Sequence, residues 1–132
     1  MLKVYNQNIT SENKEVNKKM LNNLILVGRI VEDAKIVTLE TGQKVTNIRL
    51  AVQRPFKNLE DEYDTDFINV SFWLSSADIA YEYGTKGSII GVKGRIASKI
   101  IEVQGVKINT LDVIGERIAF IQIKEREKPI EQ

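Results

Sequence analysis

Apolar and polar positions alternate with the period of a β-strand through most of the chain, in short runs separated by turn signals, the pattern of an all-β domain. Leu24–Val31 (LILVGRIV) is a first apolar run, and Gly28 in its interior predicts a bend or bulge. Ala34–Leu39 continues it, and Thr41-Gly42-Gln43 turns the chain. Lys44–Gln53 is a second strand, with Ile48, Leu50 and Val52 inward and Arg49, Ala51 and Gln53 outward. Arg54 to Thr65 reads as a polar loop, and the five acids between Glu60 and Asp66 suit a solvated one. Asp66–Trp73 (DFINVSFW) is the third strand. Its inward row is Ile68, Val70, Phe72 and then Leu74; its outward row is Phe67, Asn69, Ser71 and Trp73.

A single helix signal follows. Ser75 or Ser76 is placed to cap it, Asp78 lies in its first turn, and Gly84 is placed to end it. Ile79, Ala80 and Tyr83 would form its buried stripe. Ser88–Ser98 is a fourth strand, with Ile90, Val92 and Ile96 on one face and Lys93 and Arg95 on the other. Gly91 and Gly94 fit a strand that bends around a small barrel. A turn at Gln104-Gly105 separates Lys99–Val103 from Val106–Ile114, and Arg117–Ile123 is the last run. Five main strands with one short helix between the third and fourth describe an OB-fold, a small Greek-key barrel. The helix position favours it over an SH3-like barrel or a generic β-sandwich.

Residues 1–19 are rich in Asn, Lys, Glu and Ser and read as a flexible extension. Residues 20–123 are the folded domain, and residues 124–132 a short polar tail. The chain holds no histidine and no cysteine, which removes the commonest general acid/base, the commonest transition-metal ligand and any thiolate site. No phosphate loop, zinc spacing or nucleophile elbow is present. Asp64 and Asp66 could flank a divalent ion, but they sit in a run of acids that a solvated loop explains. The expectation is a protein that is not an enzyme and carries no metal and no cofactor.

The formal net charge is +1, and the body from Met20 to Ile121 holds 12 basic and 13 acidic residues. A nucleic-acid role would therefore rest on local placement of charge and on contacts that are not ionic. The outward row of the third strand supplies a candidate. Phe67 and Trp73, the only tryptophan, lie six residues apart, roughly 20 Å along an extended strand. Phe56 lies just past the second strand, flanked by Arg54 and Lys57. Stacking of unpaired bases on aromatics is worth about 1–3 kcal/mol per base and tolerates any sequence. Outward aromatics also bury themselves in subunit contacts or lie flat on a surface. The pattern leaves all three readings open.

The segments MLNNLILVGRI, TNIRLAVQRPFKN, DFINVSFW, ADIAYEYGTKGS and GVKGRI, in that order and spacing from Met20 to near Ile121, resemble the bacterial single-stranded DNA-binding protein family. The resemblance implies an OB-fold that binds single-stranded DNA without sequence preference in DNA replication, recombination and repair. It implies a homo-oligomer, a tetramer or else a dimer, in the cytoplasm with the nucleoid and with no membrane partner. It places stacking aromatics at Phe56, Phe67 and Trp73, puts Tyr83 and Lys86 near the DNA path, and makes Lys99 a basic position of a hairpin. Arg54, Lys57, Lys93 and Arg95 complete the candidate contacts.

Three departures stand out. Ile101 occupies a position often aromatic in the family, so this hairpin should grip DNA less tightly. The acids from Glu60 to Asp64 are unfavourable near phosphate unless their loop points away. The chain closes at KEREKPIEQ without an acidic Pro-Phe tip for recruiting replication and repair enzymes, which suggests a truncated chain or a tail-less paralogue of competence, phage or mobile-element type. Two other functions share the pattern: a protein-interaction module of a replication or primosome assembly, and an RNA-binding OB domain.

Overall fold

The computed structural model describes residues 20–125, so the expectations for residues 1–19 and for the tail beyond residue 125 lie outside the described residues. The elements are β1 (Leu24–Ile30), β2 (Lys35–Thr38), β3 (Lys44–Lys57), β4 (Tyr63–Trp73), α1 (Ser75–Tyr83), β5 (Ile89–Val103) and β6 (Val106–Gln122). The strands are ordered β1-β5-β6-β4-β3-β2, and β3 returns to β1 through Arg29↔Ala51 and Ile30↔Leu50. Five strands thus close into a barrel, with β2 added at the outer edge of β3. The β4–β6 seam is parallel, with Val70 opposite Val113 and Phe72 opposite Gly115, and the other pairings are antiparallel. This is the expected OB-fold; counting β2, its helix lies between the fourth and fifth strands.

Alternation builds the interior. Ile30, Ile48, Leu50, Val70, Phe72, Ile90 and Val92 are fully buried in one cluster, flanked by the partly buried Leu26, Val52, Ile68, Val113, Ile118 and Phe120. The Phe72 ring lies flat where a side chain on Gly115 would stand, so the parallel seam depends on that glycine. Gly28 pairs with Ile90 of β5 just before β1 also takes up β3 at Arg29, and a Cβ there would meet the Ala51 carbonyl oxygen at 2.7 Å. The bend predicted at Gly28 is therefore a close backbone approach.

Several local expectations are revised. Lys99–Val103 and Val106–Ile114 pair about the expected turn at Gln104-Gly105, as the distal parts of the long strands β5 and β6, of 15 and 17 residues, and not as separate strands. The loop from Arg54 to Thr65 shrinks to residues 58–62, because β3 runs on to Lys57 and β4 begins at Tyr63. Asn58 makes that short turn: its Oδ1 accepts from the backbone N–H groups of Glu60 and Glu62 at 2.8 and 3.0 Å. Before it, Arg54, Pro55 and Phe56 face the single residue Asp64, a bulge between the pairs Gln53↔Thr65 and Lys57↔Tyr63. Pro55, which has no N–H to donate, is tolerated at such a bulge.

The helix buries only part of its expected stripe. Ala80 is buried as expected and is joined by Ala77, whereas Ile79 and Tyr83 are 51% and 40% exposed. Small side chains let α1 approach β3 closely enough for the Thr46 hydroxyl to donate to the Ala77 carbonyl at 2.6 Å in the interior. Neither serine caps the helix. Leu74 takes the N-cap position at φ 56° and ψ −127°, with no side-chain hydrogen bond. That sharp turn throws Leu74 outward, 60% exposed, and ends the inward row of β4 at Phe72.

Candidate nucleic-acid interface

Cross-strand pairing fixes what shares the outer wall of β3 and β4, because residues directly opposite each other point the same way. Along this wall the pairs run Lys57 with Tyr63, Gln53 with Thr65, Ala51 with Phe67, Arg49 with Asn69, Asn47 with Ser71, and Val45 with Trp73. Phe67 and Trp73 therefore share one face, as expected. Phe67 is 57% exposed, and Trp73 is half-buried. The ground between them is polar: Asn69 is exposed, and the more enclosed Ser71 donates its hydroxyl to Asn47 Oδ1 at 3.0 Å.

Tyr63 belongs to the same row, four residues before Phe67 and 48% exposed. The polar run from Arg54 to Thr65 predicts a loop there and so hides Tyr63 as a site residue. Its signal was parity with Phe67 and Trp73. The three rings span about 34 Å of strand. Lys57 Nζ lies 5.7 Å from the Tyr63 ring centroid. Phe56, 62% exposed, projects from the neighbouring bulge, so Phe56, Lys57 and Tyr63 gather at one end of the wall.

Alternation alone marks Arg49 only as an outward residue of its strand. Its guanidinium carbon lies 5.1 Å from the Phe67 ring centroid. Other cations of the region are already engaged. Arg54 grips Asp66 with two hydrogen bonds, Nε to Oδ2 at 3.1 Å and Nη2 to Oδ1 at 2.9 Å, and has Asp64 at 3.9 Å. The hydrogen bonds and charge of Asp66 raise the pKa of Arg54, and Arg54 in turn holds the Asp66 carboxyl below the ordinary carboxylate range. Asp64 also accepts from Asn58 Nδ2 at 3.0 Å. The two aspartates considered for a metal thus serve an arginine and a turn, and among the described residues no group of three or more acids is arranged to hold a metal ion. Lys57 pairs with Asp61 at 3.3 Å, and Arg95 with Glu116 at 3.8 Å.

The remaining candidates lie elsewhere on the barrel. Tyr83, at the end of α1, sets its ring 5.0 Å from that of Phe120. Lys86 follows it in the turn to β5, where its backbone N–H donates to Asp33 Oδ1 at 2.8 Å. Lys93 and Arg95 project from β5, which is separated from β4 by β6 and from β3 by β1. Lys99 stands on the distal arm of β5, opposite Thr110. The structure brings Phe56, Lys57, Phe67 and Trp73 onto or beside one wall and leaves Lys93, Arg95 and Lys99 off it.

That β5 side of the barrel has its own character. Ile25, Val27 and Ile121 are 76%, 53% and 57% exposed. A Cβ placed on Gly91 would touch Val27, Ala119 and Ile121 at 3.7–3.8 Å, so these side chains form one contiguous apolar patch. Among the described residues β1 pairs with β3 only at its last two positions, leaving the edge of Leu24–Gly28 on that side without a strand.

Comparison with known proteins agrees with this architecture. Single-stranded DNA-binding protein B of Bacillus subtilis is 36% identical over 110 residues, covering 83% of this chain and 97% of that protein. Single-stranded DNA-binding protein 3 of Streptococcus agalactiae is 33% identical over 114 residues, covering 86% and 83%. Among solved structures, a Plasmodium falciparum SSB in complex with ssDNA superposes with a TM-score of 0.67 at 22% identity, over 79% of this chain and 97% of that one. A single-stranded DNA binding protein from Thermus aquaticus gives 0.68 at 22% identity, over 77% and 50%. The family model for the single-strand binding protein family matches residues 21–121, the whole barrel with its helix, and the chain belongs to that family.

Proposed function

We propose that this protein binds single-stranded DNA without sequence preference, acting in replication, recombination and repair by base stacking on the β3–β4 wall and not by catalysis. The observation that carries the reading is the separation of two kinds of exposed apolar surface. Phe67 and Trp73 stand apart on polar ground, whereas the contiguous aliphatic patch of Val27, Ala119 and Ile121 lies on another wall. Subunit contact has its own surface, and the aromatics are left free for bases. Trp73, Phe67 and Phe56 are the stacking residues, with Tyr83, Lys86 and Lys99 as outlying contacts.

The aliphatic patch and the open edge of β1 support a homo-oligomer, built by the β1–β5–β6 side of the barrel. The likeness to bacterial relatives supports a cytoplasmic setting, and no helix among the described residues is long and apolar enough to cross a membrane. The test uses the single tryptophan. Titration with poly-thymidine at low salt should quench Trp73 fluorescence and retard the protein–DNA complex on a gel. No quenching together with no mobility shift would sink the reading.

A further inference from the structure

We propose that Arg49 is the phosphate-contacting cation at the centre of the β3–β4 wall, its guanidinium braced on the Phe67 ring and its N–H edge turned to the backbone of a bound single strand. The inference rests on the DNA-binding reading above and adds a residue that the resemblance does not supply. Three observations carry it.

Position comes first. Arg49 pairs with Asn69, next to the pair of Ala51 with Phe67, so its stem rises from the wall between Phe67 and Trp73. A strand whose bases stack on those two rings must pass its phosphates across this ground. Availability comes second. Lys44, Arg54, Lys57 and Arg95 each lie within 4.0 Å of a carboxylate, whereas Arg49 forms no ion pair among the described residues. Its neighbours on β3 and β4, Asn47, Asn69, Ala51 and Ser71, are all uncharged. The cation on its other side, Arg29 opposite Ala51 on β1, gives its Nη1 to the Gly87 carbonyl at 2.8 Å. A phosphate arriving there meets a guanidinium with no acid among its β3 and β4 neighbours, unlike the hairpin end with Asp61 and Asp64.

Preorganisation comes third. Arginine stacks on aromatic faces with a planar fork, and the 5.1 Å contact with Phe67 holds that fork in place before DNA arrives. A guanidinium carries five N–H donors, and stacking by one face leaves its in-plane donors free. Phe67 stays 57% exposed beside it, so the ring keeps surface for a base. Base stacking and phosphate contact are thereby coupled in one unit.

The test measures poly-thymidine binding across a salt series for the unsubstituted protein, Arg49→Met, Phe67→Ala and the double variant. Methionine keeps an apolar stem and removes the charge, and Arg49 is exposed, so thermal unfolding should be unchanged. One phosphate contact on a single strand contributes about 0.7 to the slope of log K against log salt. Arg49→Met should make that slope shallower by about 0.7, and should do so equally in the Phe67→Ala background. Identical slopes with and without Arg49 would overturn the proposal. So would a loss that vanishes once Phe67 is removed, since Arg49 would then act only by propping the ring. Failure of the DNA-binding reading itself is distinguishable, because the unsubstituted protein would then neither quench nor shift.

Discussion

Two walls of this small barrel both expose large apolar side chains, and they do it differently. On the β3–β4 wall, Tyr63, Phe67 and Trp73 are aromatic, spaced four and six residues apart, and separated by Thr65, Asn69 and Ser71. On the β1–β5–β6 wall, Val27, Ala119 and Ile121 are aliphatic and meet around Gly91, with the exposed Ile25 next along β1 and opposite Lys93. A continuous aliphatic patch gains only by excluding water over its whole area, which a flat, complementary protein surface does. Isolated rings gain by meeting flat π-faces one at a time while the polar ground stays hydrated. Exposure alone does not separate a subunit contact from a base platform. Side-chain type and spacing do.

The largest expected effect breaks the aliphatic wall. If the aliphatic wall is the proposed subunit contact, Val27→Asp puts a carboxylate where it must shed water, at a cost of several kcal/mol. Sedimentation velocity should show the assembly reduced toward single chains while the barrel stays folded, because Val27 is already half exposed in each one. Trp73 quenching by a short oligonucleotide should survive. An unchanged mass would remove the β1 wall from assembly. The next largest effect breaks the other wall. Trp73→Ala and Phe67→Ala should each weaken single-strand binding by about 1–3 kcal/mol without changing the sedimenting mass. A loss of mass in either variant would reassign that ring to a subunit contact and erase the distinction between the walls.

Much of this was legible from alternation. The inward rows Ile48–Leu50–Val52 and Ile68–Val70–Phe72 fall where the period of two places them, and so does the sharing of one face by Phe67 and Trp73. What alternation misses is where a strand continues through polar residues. Arg54–Lys57 and Tyr63–Thr65 carry no apolar inward side chain, so they read as loop, although backbone pairing extends through them. Tyr63 was lost with them. The buried face of α1 was legible at Ala80 but not at Ala77, for a different reason. A nine-residue helix capping a narrow barrel is selected for close approach, which Ala77 and Ala80 permit and the larger Ile79 and Tyr83 do not. The engagement of Arg54 by Asp66 was equally invisible, since it depends on a bulge that no residue pattern announces.

Leu74 offers a smaller effect that sharpens the aromatic wall. Its φ of 56° and ψ of −127° belong to a region that side chains disfavour and glycine accepts. The turn is held by Leu74 N–H donating to the Lys44 carbonyl at 3.2 Å and by Ala77 N–H donating to the Leu74 carbonyl at 3.0 Å, bonds that glycine would keep. Leu74→Gly should therefore raise stability by about 1 kcal/mol in chemical denaturation, after the greater unfolded freedom of glycine is set against the relieved strain. DNA affinity should not change, because Trp73 is placed by its pairing with Val45. Weaker binding in that variant would mean that Leu74 itself touches the strand.

The smallest effect concerns Arg54, which stands near the aromatic wall with its charge already answered. Arg54 holds the Asp66 carboxyl below its ordinary pKa, first by hydrogen bonding and then by its charge. A depressed folded-state pKa means that the pair's contribution to stability is present above the unfolded pKa of the aspartate and fades as pH falls through the folded one. Both groups are open to solvent, so the stability consequence is minor. Binding should respond more visibly. Asp66→Asn releases one of the two acids facing Arg54 and leaves only Asp64, at 3.9 Å. If Arg54 then reaches a phosphate, the salt slope of poly-thymidine binding should steepen by up to about 0.7, the contribution of one contact. A slope identical to that of the unsubstituted protein would place Arg54 outside the DNA path, and the cations of this wall would then be Arg49 at its centre and Lys57 at its end.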